Sequence, residues 1–230
     1  MKTLSKRIKQ ERSKVNKSDA YSSEQAISLV KQTASAKFNE SIEAHISLNI
    51  DPKYADQQLR TTVVLPHGTG KSIRIAALVA SDKISEAENL GIDVVGSEDL
   101  VEDISAGKLD FDLLIATADM MPKLAKLGRV LGPKGLMPSP KAGTVTSNLG
   151  NTVDEFKKGK LEYRADKTGI VHISFGKANF TEEQLLENLK AFYNSVESNK
   201  PTGVKGKYIK KFTICSTMGP GVLVDYSTLN

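Results

Sequence analysis

Ile42, Ala44, Ile46, Leu48 and Ile50 alternate without a break with Glu43, His45, Ser47 and Asn49. A period of two predicts a strand with one buried and one wet face, as in an antiparallel sheet covered on one side. Just upstream the period is helical. Ser22-Ser23-Glu24 offers a cap, and Ala26, Ile27, Leu29, Val30 and Ala34 follow at helical spacing. Asp51-Pro52-Lys53 breaks the strand, and residues 61–65 read as its partner.

From residue 73 the pattern changes. Residues 73–79, 92–95 and 113–116 are continuous apolar runs, which suits strands buried on both faces. Helical stretches at 82–90, 98–106 and about 119–131 separate and follow them, the first two closed by Gly91 and Gly107. Such an order predicts a small parallel sheet with helices on both sides. Farther on, 161–164 and 170–175 flank Ala165-Asp166-Lys167-Thr168-Gly169 and read as a hairpin. Thr181-Glu182-Glu183-Gln184 is a capping box opening a long helix to about 198. Residues 208–215 and 222–225 are strands joined by the tight loop Ser216-Thr217-Met218-Gly219-Pro220-Gly221.

Antiparallel pieces at both ends around a parallel block predict an α/β chain of two domains. Domain I is a discontinuous α+β domain, residues 1–66 and 160–230. Domain II, residues 67–159, is an inserted Rossmann-like three-layer α/β domain. Pro66, His67 and Gly159 mark the two crossings and are expected to form a hinge.

Charge sharpens this picture. The net charge is +5 over 230 residues, but the sum hides asymmetry. Acids dominate between Asp82 and Asp119, whereas the leader (Lys2, Lys6, Arg7, Lys9, Arg12, Lys14, Lys17) and the segment 200–211 are basic. A nucleic-acid side and a solvated acidic side are expected. Cys215 stands alone, which excludes an internal disulfide and a zinc site built on cysteines. No apolar stretch approaches a membrane span, and residues 1–21 lack the apolar core of a secretory signal.

Residues 128–145 hold four glycines and three prolines, which argues against a regular helix or central strand. They also carry Arg129, Lys134 and Lys141, and no acid lies between Met120 and Val153. A stiff cationic loop suits phosphate or RNA. Pro66-His67-Gly68-Thr69-Gly70-Lys71-Ser72 is not a phosphate loop, because Leu65 stands where the first glycine belongs. The dinucleotide fingerprint fails at Ile73. A nucleotide-dependent enzyme built on the inserted block is thus the weaker alternative, and no cofactor is expected. His45, His67 and His172 are too scattered in sequence to suggest a metal set.

Gly132-Pro133-Lys134-Gly135-Leu136-Met137-Pro138-Ser139-Pro140-Lys141-Ala142-Gly143-Thr144-Val145 resembles the central motif of bacterial- and plastid-type ribosomal protein L1, the universal uL1 family. Four further stretches resemble that family in the right order: residues 36–45, 65–71, 166–169 and 217–220. The resemblance implies a non-catalytic protein at the base of the mobile stalk of the large ribosomal subunit. It implies binding of large-subunit rRNA through domain I, release of deacylated E-site tRNA, and repression of translation by binding the leader of its own mRNA. It also implies a chain that is monomeric outside the ribosome and works in a bacterial (cyanobacterial) cytoplasm or a plastid stroma. The family's RNA contacts map onto Lys37, Phe38, Ser41 and Glu43 from one stretch and Thr217, Met218 and Gly219 from another. Lys167, in the hairpin loop, is read apart from these as either a phosphate contact or a solvated lysine. Ser41 stands where many members have Thr. Hydroxyls, bare backbone and apolar surface suit RNA, which is read by shape, stacking and 2′-hydroxyls.

Overall fold

The computed structural model describes residues 5–204 and 206–229; Lys2 and Lys205, part of the two basic stretches, lie outside them. In chain order the elements are α1 (Lys6–Ser13), α2 (Ser23–Thr33), β1 (Ser41–Leu48), β2 (Arg60–Val64), β3 (Ile75–Leu78), α3 (Ile84–Glu88), β4 (Val94–Gly96) and α4 (Glu98–Ser105). They continue with β5 (Leu113–Ala116), α5 (Met121–Ala125), α6 (Gly128–Lys134), α7 (Leu149–Lys157), β6 (Lys160–Arg164), β7 (Ile170–Lys177), α8 (Glu182–Ser198), β8 (Ile209–Ser216) and β9 (Val222–Leu223). The fold is mixed α/β, with antiparallel and parallel sheets. Two compact units emerge: the chain up to Gly70 with the chain from Leu161, and Lys71–Lys160.

In the first unit, β1 lies inside a sheet of order β7-β1-β8-β9. Ile42, Ala44, Ile46 and Leu48 are buried, as the alternation predicts. They meet Val171 and Phe175 of β7, Phe212 and Ile214 of β8, and the apolar stripes of α2 and α8. The α8 stripe is Leu185, Leu189, Phe192, Tyr193 and Val196. Its capping box forms: Thr181 Oγ accepts from the Gln184 amide at 3.2 Å, and Gln184 Oε1 from the Thr181 amide at 3.1 Å. Both helices cover one face of the sheet, so β1 keeps its polar residues on an open face.

Two sequence expectations are corrected here. β2 does not pair with β1, because β7 and β8 occupy both edges of that strand; it pairs with β6 instead. β6 and β7 do not form a simple hairpin: they share one bridge, Ala165–Val171, and then enter different sheets. The basic leader contains α1, which lacks an apolar stripe. Its cap is Ser5, whose hydroxyl accepts from the Ile8 amide at 3.4 Å.

In the second unit, β3 is central in a parallel sheet of order β4-β3-β5 and all four of its residues are buried. Alternate positions feed separate apolar clusters. Ala76 and Leu78 join Leu114, Met120 and Leu124; Ile75 and Ala77 join Ile115, Val153 and Phe156. A strand covered on both sides cannot show an alternating pattern, which explains the continuous apolar run. Helix α7 was not foreseen; its Leu149, Val153 and Phe156 complete the second cluster.

Residues 128–145 depart from expectation in part. The helix expected over about 119–131 is broken into α5 and α6, and α6 runs on to Lys134 despite Pro133, which sits in its last turn. Leu131 is fully buried, and Gly135 takes a left-handed φ of 72° that closes the helix. Burial of one apolar side outweighs the lost hydrogen bond. Val145 then bridges to Ala116 in parallel and extends the sheet. Among the described residues no helix is long and apolar enough to cross a membrane.

Phe192 is fully buried against Tyr163, ring centroids 5.4 Å apart at 87°. Phe192→Ala is expected to remove about 3–5 kcal/mol of stability. Urea denaturation reads this directly, and a loss well under 1 kcal/mol would mean that α8 does not seal the sheet.

Candidate nucleic-acid interface

Glu40 sits just before β1 and is 1% exposed. An isolated carboxylate there would be costly, so it must be hydrogen-bonded. Its Oε1 accepts from the Ala36 amide at 2.9 Å and its Oε2 from the Met218 amide at 2.8 Å. One buried side chain therefore ties two stretches that are 178 residues apart. Burial pushes the Glu40 carboxyl up, but these amides and the charge of Arg7 outweigh it, leaving the group below its ordinary 4.5.

A second clasp lies beside the first. The Thr217 hydroxyl accepts from the Ser41 amide at 3.0 Å and donates to the Ser41 carbonyl at 3.2 Å, while the Thr217 amide donates to that carbonyl at 3.0 Å. Lys177 Nζ donates to Ser41 Oγ at 2.9 Å. Thr217 is thus structural before it is anything else, with one hydroxyl lone pair to offer. A Cβ on Gly219 would stand 2.4 Å from Ser216 Oγ, so any larger residue there must push that buried hydroxyl aside.

The two clasped stretches leave apolar surface outside. Phe38 is 55% exposed and Met218 47%, two of four large apolar side chains left exposed among the described residues. Lys37 is exposed next to Phe38. Arg7 of α1 reaches across, donating to the Met218 carbonyl at 3.2 Å and to Ser35 Oγ at 3.3 Å. A cleft of about 330 Å³ runs beside the Gly219–Gly221 turn, lined by Arg12, Lys17 and Lys211. Sequence reading missed Glu40 and Arg7 as participants. Glu40 stood within a quoted motif, but no local signal says that an acid will be buried. Arg7 was one cation among many.

The remaining sequence-predicted residues fall elsewhere. Glu43 lies on the open face of β1, opposite Cys215 of β8. Lys167 is exposed in the turn at the far end of β7. Lys177, not Ile170, pairs with Ser41, so that turn is roughly 24 Å along the sheet from the Ser41–Thr217 clasp. Asp166 builds the turn by accepting from the amides of Thr168 and Ile170, both at 2.8 Å. These amides, the Ile170 one foremost, hold its carboxyl down at about 2.

His45 and His172, remote in sequence, are opposite each other on β1 and β7, their Nδ1 atoms 2.8 Å apart. The expectation that the histidines are scattered is corrected: antiparallel register joins two of them. Among the hinge candidates, the His67 amide donates to Asn188 Oδ1 at 3.0 Å, and Asn188 Nδ2 donates to the Gly68 carbonyl at 2.9 Å. Buried Asn188 thus ties this stretch to α8, and the chain leaves the unit after Gly70. Gly159, φ 107°, closes α7 inside the other unit. In residues 128–145, Arg129, Lys134 and Lys141 are all exposed while Leu131 and Ala142 anchor the run.

The model of the Ribosomal protein L1p/L10e family matches residues 30–220. The chain is 62% identical over 225 residues to large ribosomal subunit protein uL1c of Trieres chinensis, covering 98% of both chains. It is 60% identical over 229 residues to large ribosomal subunit protein uL1 of Prochlorococcus marinus strain MIT 9215, covering 100% of this chain and 97% of that one. Over 227 residues it is 62% identical to uL1c of Guillardia theta, covering 99% and 97%.

Glu40→Gln places an amide N–H₂ against a backbone donor and is expected to cost about 1–3 kcal/mol at neutral pH. Because the folded-state pKa is depressed, the stabilisation by Glu40 is full above 4.5 and is lost as pH falls through the lower folded value. The gap between wild type and variant in urea denaturation should therefore narrow on acidification. Equal stability at pH 7 would show that Glu40 clamps nothing.

Proposed function

We propose a function from one premise: the chain belongs to the ribosomal protein L1p/L10e family. It is a structural protein of the large ribosomal subunit rather than an enzyme, of the kind found in bacterial and plastid ribosomes. The end of the first unit that carries Phe38 and Met218 binds large-subunit rRNA. The supporting observation is the pair of clasps, which fixes two distant stretches side by side with apolar side chains outward and cations around them.

The chemistry fits a compact RNA. Phe38 and Met218 offer faces to a base or ribose, the bare backbone at Gly219 admits a sugar-phosphate strand, and the spare lone pair of Thr217 accepts from a 2′-hydroxyl. Glu43 accepts from a 2′-hydroxyl or a base amino group. Lys37, Arg12, Lys17 and Lys211 supply the phosphate attraction. Lys167 takes part only if the RNA runs the length of the sheet. The two compact units correspond to domain I and an inserted domain II, with the pivot of any hinge where the chain crosses between them, beyond Pro66 and His67 and next to Gly159. Release of E-site tRNA and repression of the chain's own messenger belong to the same reading, supported by the family resemblance alone.

Filter binding to an rRNA stalk fragment tests the interface. Phe38→Ala with Met218→Ala is expected to weaken binding by about 1–3 kcal/mol per lost stacking contact. Wild-type affinity should fall steeply as salt rises. Undiminished binding by the double variant, with stability intact, would move the interface elsewhere.

A further inference from the structure

We propose that the open face of the four-stranded sheet carries a binding site for one divalent transition-metal ion of the zinc type, ligated by Glu43, His45 and Cys215 and oriented by His172. The strands themselves assemble the donors. Register places Cys215 opposite Glu43 and His172 opposite His45, so all four side chains project from the face that the helices leave uncovered. The ligand atoms of Glu43, His45 and Cys215 lie within 4.8 Å of one another. His45 Nε2 is 3.3 Å from Cys215 Sγ and 3.8 Å from Glu43 Oε2. A tetrahedral ion with bonds of about 2.0–2.3 Å has ligand–ligand edges of about 3.3–3.8 Å, which the two His45 distances already match, and the Glu43 and Cys215 side chains close to the same spacing as the ion enters. Thiolate, imidazole and carboxylate together suit zinc or cobalt better than magnesium or calcium.

The second shell is also in place. His172 Nε2 lies 3.5 Å from Asp166 Oδ2, and its Nδ1 lies 2.8 Å from His45 Nδ1. The other ring nitrogen of His45, Nε2, faces Cys215 and Glu43. A ligating histidine whose other nitrogen donates to a fixed acceptor is the usual outer-shell arrangement. Burial, assisted by the His172 ring, holds His45 below its ordinary value. Burial and the nearby Glu43 charge push the Cys215 thiol up to about 11. An incoming cation replaces the thiol proton, which passes to solvent as the metal–sulfur bond forms. This site stands apart from the RNA reading, although it shares Glu43 with it.

The test uses the reduced full-length protein titrated with Co²⁺ and then Zn²⁺. One equivalent of Co²⁺ should produce thiolate-to-cobalt charge-transfer absorption that Zn²⁺ abolishes. Cys215→Ser should lose the band. His45→Gln and His172→Gln should weaken binding by about tenfold or more, and His67→Gln should leave it unchanged. Absence of the band in wild type, its survival in Cys215→Ser, or equal weakening by His67→Gln would each overturn the proposal. If a variant fails to fold, wild type alone decides: Zn²⁺ should slow alkylation of Cys215 by iodoacetamide, and an unaltered rate refutes the site.

Discussion

A carboxylate that is taken out of water must find donors, and at Glu40 the donors are the amides of Ala36 and Met218. That requirement makes the first unit more than a sheet under two helices. It brings the segment leading into β1 against the turn leaving β8, although most of the chain, including the whole second unit, lies between them. Thr217 and Ser41 repeat the tie from the other side. Glu40 turns inward to make the tie, while Phe38 and Met218 of the same two stretches stay exposed. An exposed apolar pair beside cations is a surface built to meet something.

The open face of the sheet follows from a different constraint. Helices α2 and α8 are the only long amphipathic helices of the first unit among the described residues, and both pack on one side. The other side keeps Glu43, His45, His172 and Cys215 partly accessible. Antiparallel register then turns remote residues into neighbours. The same rule that made β1 legible as a half-wet strand also gathered donors on it.

Much of the fold could be read from local pattern. The alternation at Ile42–Leu48, the stripe and capping box of α8, and the continuous apolar runs of β3 and β5 all became the elements they predict. Elements without a clean period were missed. Helix α1 has no apolar stripe, and α7 buries residues whose partners come from other segments. At α6, proline and glycine pointed the wrong way because tertiary burial of Leu131 outweighed local preference. Strand partners were misassigned at β2 and at β6 for a related reason: a strand's own pattern says that one face is buried, not whose edge it meets.

By itself the sequence determined the elements with strong periodicity and the family through its separated motifs. It could do so because propensity, capping and motif spacing are carried by neighbours along the chain. Only the tertiary structure decided that Glu40 is buried, that Thr217 holds Ser41 before it can hold anything else, that Lys167 stands at the far end of the sheet, and that His45, His172 and Cys215 share one face. Those facts depend on register and on burial, both of which arise when segments far apart in sequence compete for the same few hydrogen-bonding edges and the same apolar core.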